Sequence, residues 1–204
     1  MKALKLNINQ QDQQFLMIEH IHLDMNSEVF RNLKLRGQNG YLCGNYIGSY
    51  PMYENVYDIS SGSLNVIRTV YRYFDLDFDF SKVYARTIKT TINGLITEYN
   101  KKSGLTKLPK LMYEHSNPNK VIENIFNDEY NNKGMVSNEY IKHILDTYTG
   151  ICLITKDENK RLSDAGLNES SSNPFDTYSR YKETGIEVLD DVKLFLKDNI
   201  TLTK

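Results

Sequence analysis

Residues 151–158 read Ile151-Cys152-Leu153-Ile154-Thr155-Lys156-Asp157-Glu158. The apolar run Ile151 to Ile154 predicts a short buried strand. Thr155 with Glu158 three residues later is a capping-box pattern. In that pattern a hydroxyl and a carboxylate each satisfy an orphan N–H at a helix start, which opens a helix through Leu162. A strand that runs directly into a capped helix commits the chain to both element types.

The same alternation continues on either side. Ser137 starts a helix through Tyr140, Ile141, Ile144 and Leu145, and Asn117 with Pro118 caps another that carries Val121, Ile122, Ile125 and Phe126. Leu111-Met112-Tyr113 reads as a short strand. Ser81 caps a long helix with Tyr84, Ile88, Ile92, Leu95, Ile96 and Tyr99 at helical spacing, and Gly104 lies just past its end. Leu64, Ile67, Tyr71 and Phe74 share one helical face, and Asp75, Asp77 and Asp79 then alternate with aromatic and aliphatic residues as a short strand or extended connector. Downstream, Asn168–Asn173 reads as a loop, and Asn173-Pro174 opens a helix that stops at Gly185. Val188, Leu189, Val192, Phe195 and Leu196 predict a last amphipathic helix.

The first sixty residues read as β-rich. Leu4, Leu6 and Ile8 alternate with polar residues, Phe15 to Asp24 reads as a second strand, and Gly37-Gln38-Asn39-Gly40 predicts a hairpin turn before Tyr41 and Cys43. The expected class is α+β: a small N-terminal antiparallel β-sheet over residues 1–62, then a predominantly helical body over 63–204, the two forming one compact unit.

Composition narrows the function classes. The chain has 204 residues, 40% of them hydrophobic and 25% charged, with a net charge of −1. These are ordinary globular values and carry no global polyelectrolyte signal. No apolar run reaches the ~20 residues of a membrane span. With no secretory pattern at the N-terminus, and with Cys43 and Cys152 far apart, the expectation is a cytoplasmic protein with reduced thiols. The abundance of Asn, Lys, Ile and Tyr suggests an AT-rich coding genome, as in many bacteria and mobile elements. No glycine-rich phosphate loop, dinucleotide fingerprint or nucleophile elbow is present.

Three groups of residues can carry chemistry. On a strand, His20, His22 and Asp24 share a face, and two imidazoles with a carboxylate suit zinc or another divalent metal. The second group is Glu114-His115 followed by Ser116-Asn117-Pro118, with Asn131, Asn132 and His143 downstream. That segment resembles the start of the His-Asn-His (ββα-metal) nucleases. The resemblance implies His115 as general base, Asn132 or its neighbour as orienting amide, His143 as helical metal ligand and Glu114 beside them. It covers about thirty residues, and this chain lacks a bracing cysteine pair.

The third group is electrostatic. Residues 66–110 hold nine basic residues against four acidic ones, a net +5, which leaves −6 on the rest of the chain. Arg68 and Arg72 share one helical face, as do Lys82, Arg86 and Lys89, with Tyr71, Tyr73 and Tyr84 interleaved. Cations beside aromatic rings suit phosphate contact and base stacking, and the same pattern also makes an ordinary solvated helix face. Together these features predict a non-enzymatic prokaryotic or mobile-element protein. It would bind a macromolecular partner, a protein or nucleic-acid complex, in a role such as defence or anti-defence. The alternative is a metal-dependent nuclease.

Overall fold

The computed structural model describes residues 10–28, 41–53, 56–76 and 85–195. Its elements, in chain order, are α1 (Gln10–Asn26), α2 (Tyr41–Ser49), a 3-10 turn (Tyr50–Tyr53), β1 (Val56–Ser60), α3 (Ser61–Tyr73), α4 (Ala85–Lys102), β2 (Leu111–His115), α5 (Asn119–Lys133), α6 (Asn138–Tyr148), β3 (Ile151–Thr155), α7 (Lys156–Asp164), α8 (Ser179–Glu183) and β4 (Val188–Phe195). The fold is α+β, and it divides into two units built from interleaved stretches of chain. One holds residues 1–54 and 119–149, the other 55–118 and 150–204. Residue 62 therefore falls inside α3 of the second unit.

The second unit is organised by a four-stranded sheet in the order β2-β3-β1-β4. The central pair is parallel, with Asp58 beside Cys152 and Ile59 beside Leu153. Both edges are antiparallel: His115 pairs with Ile151 on β2–β3, and Val56 pairs with Phe195 on β1–β4. Among the described residues the expected small N-terminal antiparallel sheet is corrected, because the described strands are drawn from residues 56–195 and their sheet is mixed. The expected final helix is likewise strand β4, where backbone pairing with β1 replaces the helical ladder.

Strand alternation puts Asp58, Cys152, Ile154, Met112 and Glu114 on one face of the sheet. Leu162 of α7, Tyr181 of α8 and Ile186 pack on Cys152 and Ile154 to build a core there. α4 covers the opposite face at β2. Lys89 lies 4.8 Å from the Tyr113 ring centroid, and the Asn93 side chain bonds both backbone groups of Leu111 at 2.8 and 3.0 Å. The ends of β2 and β3 are closed by a bond from Ser116 N–H to Gly150 C=O at 2.9 Å.

Caps explain where the helices begin. Ser60 is both the last residue of β1 and the N-cap of α3, its hydroxyl accepting from Ser63 N–H at 3.0 Å. Thr155 does the same for β3 and α7, with the reciprocal capping box to Glu158 formed as expected. Ser137 caps α6.

The first unit is helical. Ile18, Ile21 and Met25 of α1 join Ile47, Ile122, Ile125, Phe126, Ile141, Ile144 and Leu145 in its core. Phe15 to Asp24 is therefore helix rather than strand. Burial at Ile18, Ile21 and Met25 follows the i, i+3, i+7 spacing of a helix face, while Phe15, Leu16 and Leu23 stay exposed. Tyr41 to Ser49, expected as the far arm of a hairpin, is helix α2. Leu4, Leu6, Ile8 and the turn at residues 37–40 lie outside the described residues, as do Asp77, Asp79 and Ser81.

Candidate functional site

A group of bonded polar side chains lies over the Cys152 face of the sheet. Arg180 of α8 is fully buried, and every arm of its guanidinium is used. It donates to Ser116 C=O and Leu167 C=O at 3.0 Å each, to Glu114 Oε1 at 2.7 Å, and to His115 C=O. Tyr181 Oη donates to the same His115 carbonyl at 3.2 Å. On β1, beyond β3, Asp58 Oδ2 accepts from Tyr178 Oη. Burial, reinforced by that carboxylate, pushes the Tyr178 phenol far above its usual range. Burial also raises the Cys152 thiol, with Asp58 and Glu158 adding to the effect, so the sulfur stays protonated.

Arg180 clamps the end of β2 to the segment before α8, and Tyr178 ties that segment to β1. Glu158 is absorbed in the same way. It is buried between the starts of α3 and α7, where Oε2 accepts from Thr155 N–H and from Ser60 Oγ at 2.7 Å each. A Cβ on Gly62 would stand 2.4 Å from Glu158 Oε1, so a larger residue there would force the carboxylate to shift.

Glu114 and His115 both lie on β2 in the sheet unit. Burial lowers the His115 imidazole below its usual value, the Glu114 carboxylate opposes that shift, and Arg180 adds to it. Asn132, exposed near the end of α5, and His143, exposed on α6, belong to the helical unit. The four residues of the nuclease resemblance therefore come together within neither unit.

The strand geometry expected for His20, His22 and Asp24 is corrected, because all three sit on helix α1. Two positions apart on a helix, His20 and His22 point about 200° apart around the axis. His20 stacks on Tyr46 with ring centroids 4.7 Å apart. His22 Nδ1 lies 2.9 Å from Val136 C=O, in a cluster with Asn26 that also holds Val136 N–H. Among the described residues no group of three or more His, Cys, Asp and Glu side chains is arranged to hold a metal ion.

The basic surface is different: its groups stay in solvent. Arg68 and Arg72 are exposed one turn apart on α3, and neither has an ion-pair partner among the described residues. Lys101 and Lys102 are exposed at the end of α4 and share one acid, Glu98, at 3.3 and 3.6 Å. Lys107 and Lys110 follow, also exposed. Lys89 is half-buried over Tyr113 and serves the sheet more than the surface. Lys82 and the side chain of Arg86 lie outside the described residues. From Arg68 to Lys110 the described side chains include seven cations and two acids, Asp75 and Glu98. No protein-family model, curated protein or solved structure matches the chain. No helix among the described residues is long and apolar enough to cross a membrane.

The arginine pair is legible in the sequence from its i, i+4 spacing, whereas Asp58, Tyr178 and Arg180 are not singled out by any local pattern. The available signal was a lone aspartate in the strand run Val56-Tyr57-Asp58-Ile59, and an arginine set between tyrosines at 178 and 181.

Proposed function

We propose that the chain is a non-catalytic binding protein that docks on nucleic acid through the basic surface of α3, α4 and the loop to Lys110. The observation that carries this reading is the exposed pair Arg68 and Arg72, which lacks ion-pair partners among the described residues. Surface cations are commonly neutralised locally by i, i+4 acids, as Lys160 is by Asp164 on α7 at 2.6 Å. α3 carries no acid at all. Guanidinium groups left in this way are suited to phosphate, which they bind in a forked, two-bond geometry. The buried clamp of Arg180, Glu114, Tyr178 and Asp58 supports the same reading. It spends the strongest polar groups of the sheet on holding the scaffold beneath the surface.

The test is binding of labelled oligonucleotides by anisotropy over a salt series. Affinity is expected to fall steeply with salt as counterions are released. The Arg68→Ala/Arg72→Ala double variant should weaken binding. It should also flatten the log–log salt slope by about 0.7–0.9 for each phosphate that is no longer neutralised. Unchanged affinity and slope in the double variant would remove this surface from consideration.

A further inference from the structure

Charge says that the basic surface attracts phosphate. The aromatic group within it says which form of nucleic acid fits. Tyr73 is the last residue of α3 and remains 42% exposed, although two aromatic neighbours hold its ring. The Tyr99 ring meets it edge-to-face at 4.8 Å and 78°, and the Phe74 ring at 5.0 Å and 85°. Tyr99 is itself buried on α4, so the support is anchored in the body of the unit. An exposed ring fixed from two sides loses little rotamer freedom when a ligand stacks on it. Cations lie close to it and to its support in sequence. Arg72 precedes it on α3, and Lys101 and Lys102 follow Tyr99 within the last turn of α4. Leu76, three residues after Tyr73, and Leu105, six residues after Tyr99, are exposed at 44% and 65%.

A duplex keeps its base faces inside the stack and offers such a surface only phosphates. A single strand offers phosphates and free base faces together, and sequence-tolerant recognition uses cations beside fixed aromatic rings. Resting on the nucleic-acid reading of this surface, we infer that its ligand is single-stranded nucleic acid, with a base stacked on Tyr73 and the flanking phosphates on Arg68, Arg72 and the α4 lysines. A duplex would use the cations and leave the ring idle.

The experiment uses the full chain with a labelled mixed-sequence single strand, the duplex of the same sequence, and vesicles of phosphatidylserine in phosphatidylcholine, all at one low salt. The single strand is expected to bind more tightly than the duplex. Tyr73→Ala should weaken single-strand binding roughly 5- to 100-fold and leave duplex binding unchanged. Tyr73→Trp places the sole indole in a chain that has no tryptophan, so its emission reports the site directly. That emission should be quenched by the single strand and not by the duplex, a readout that holds even if the alanine variant folds poorly. Equal binding of both forms, with an indole that does not respond, overturns the stacking inference and leaves the phosphate surface standing. If neither form binds, or only vesicles do, both readings fall.

Discussion

Arg180 shows how a single buried charge can organise a sheet edge. Its guanidinium has no exposed surface, and its four acceptors are a carboxylate and three backbone carbonyls drawn from Glu114, His115, Ser116 and Leu167. A leucine at this position fills part of the volume and supplies no donor. Arg180→Leu is therefore expected to cost about 3–5 kcal/mol, the range for breaking a buried pair from one side. The loss would be read as a fall in the urea midpoint. Arg180→Leu with Glu114→Leu should cost less than the sum of the two single changes, because no unpaired carboxylate is left behind. Strict additivity would mean that the pair is not coupled.

His115, beside this clamp, gives a pH prediction. Burial holds its folded pKa below the unfolded value of about 6.5. Between those two values the unfolded chain binds the proton and the folded chain does not. Stability is then expected to be full above pH ~6.5 and to fall as the pH drops toward the folded pKa. His115→Gln should remove that part of the slope in urea midpoints measured from pH 7.5 downward. An unchanged slope would assign the pH dependence to other groups.

At the scale of elements, the two parallel strands end in matched ways. β1 stops at Ser60 and β3 at Thr155, and each of these residues caps the helix that follows. Glu158 joins the two starts by accepting from Thr155 N–H and Ser60 Oγ. Thr155→Ala removes the hydroxyl that accepts from Glu158 N–H and is expected to cost about 1 kcal/mol in thermal or urea unfolding. Thr155→Ser should recover most of it. If serine fails to restore stability, the threonine methyl rather than the cap is responsible.

These caps were legible in the sequence because cap chemistry is local: Thr155 and Glu158 lie three residues apart, and Ser137 lies three residues before Tyr140. α1 and β4 were not. The exposed Phe15, Leu16 and Leu23 of α1 blur its helical period, so that a strand pattern also fits. The Val188–Phe195 run takes its conformation from β1, more than a hundred residues earlier in the chain. The site divides in the same way. Arg68 and Arg72 announce themselves one turn apart, whereas the Arg180–Glu114 pair spans 66 positions and the Tyr178–Asp58 pair 120.

At the largest scale one chain threads two units. The chain leaves the sheet unit at the end of β2, builds α5 and α6 of the helical unit, and returns to begin β3, where the Ser116–Gly150 bond closes the gap. Each unit buries its own apolar set: Phe126 with Ile18, Ile21, Ile47 and Leu145 in one, Cys152 and Ile154 with Leu162 and Tyr181 in the other. Separate cores predict separate cooperative units of opening. Phe126 is fully buried, so Phe126→Ala should destabilise its own core by about 3–5 kcal/mol. Amide hydrogen exchange followed by mass spectrometry would locate that loss. Protection should fall in α1, α2, α5 and α6 and be retained in β1, β2 and β3, although α5 and α6 lie between β2 and β3 in sequence. A uniform loss across both sets would show that the two cores open as one and that the division seen in the fold has no counterpart in its energetics.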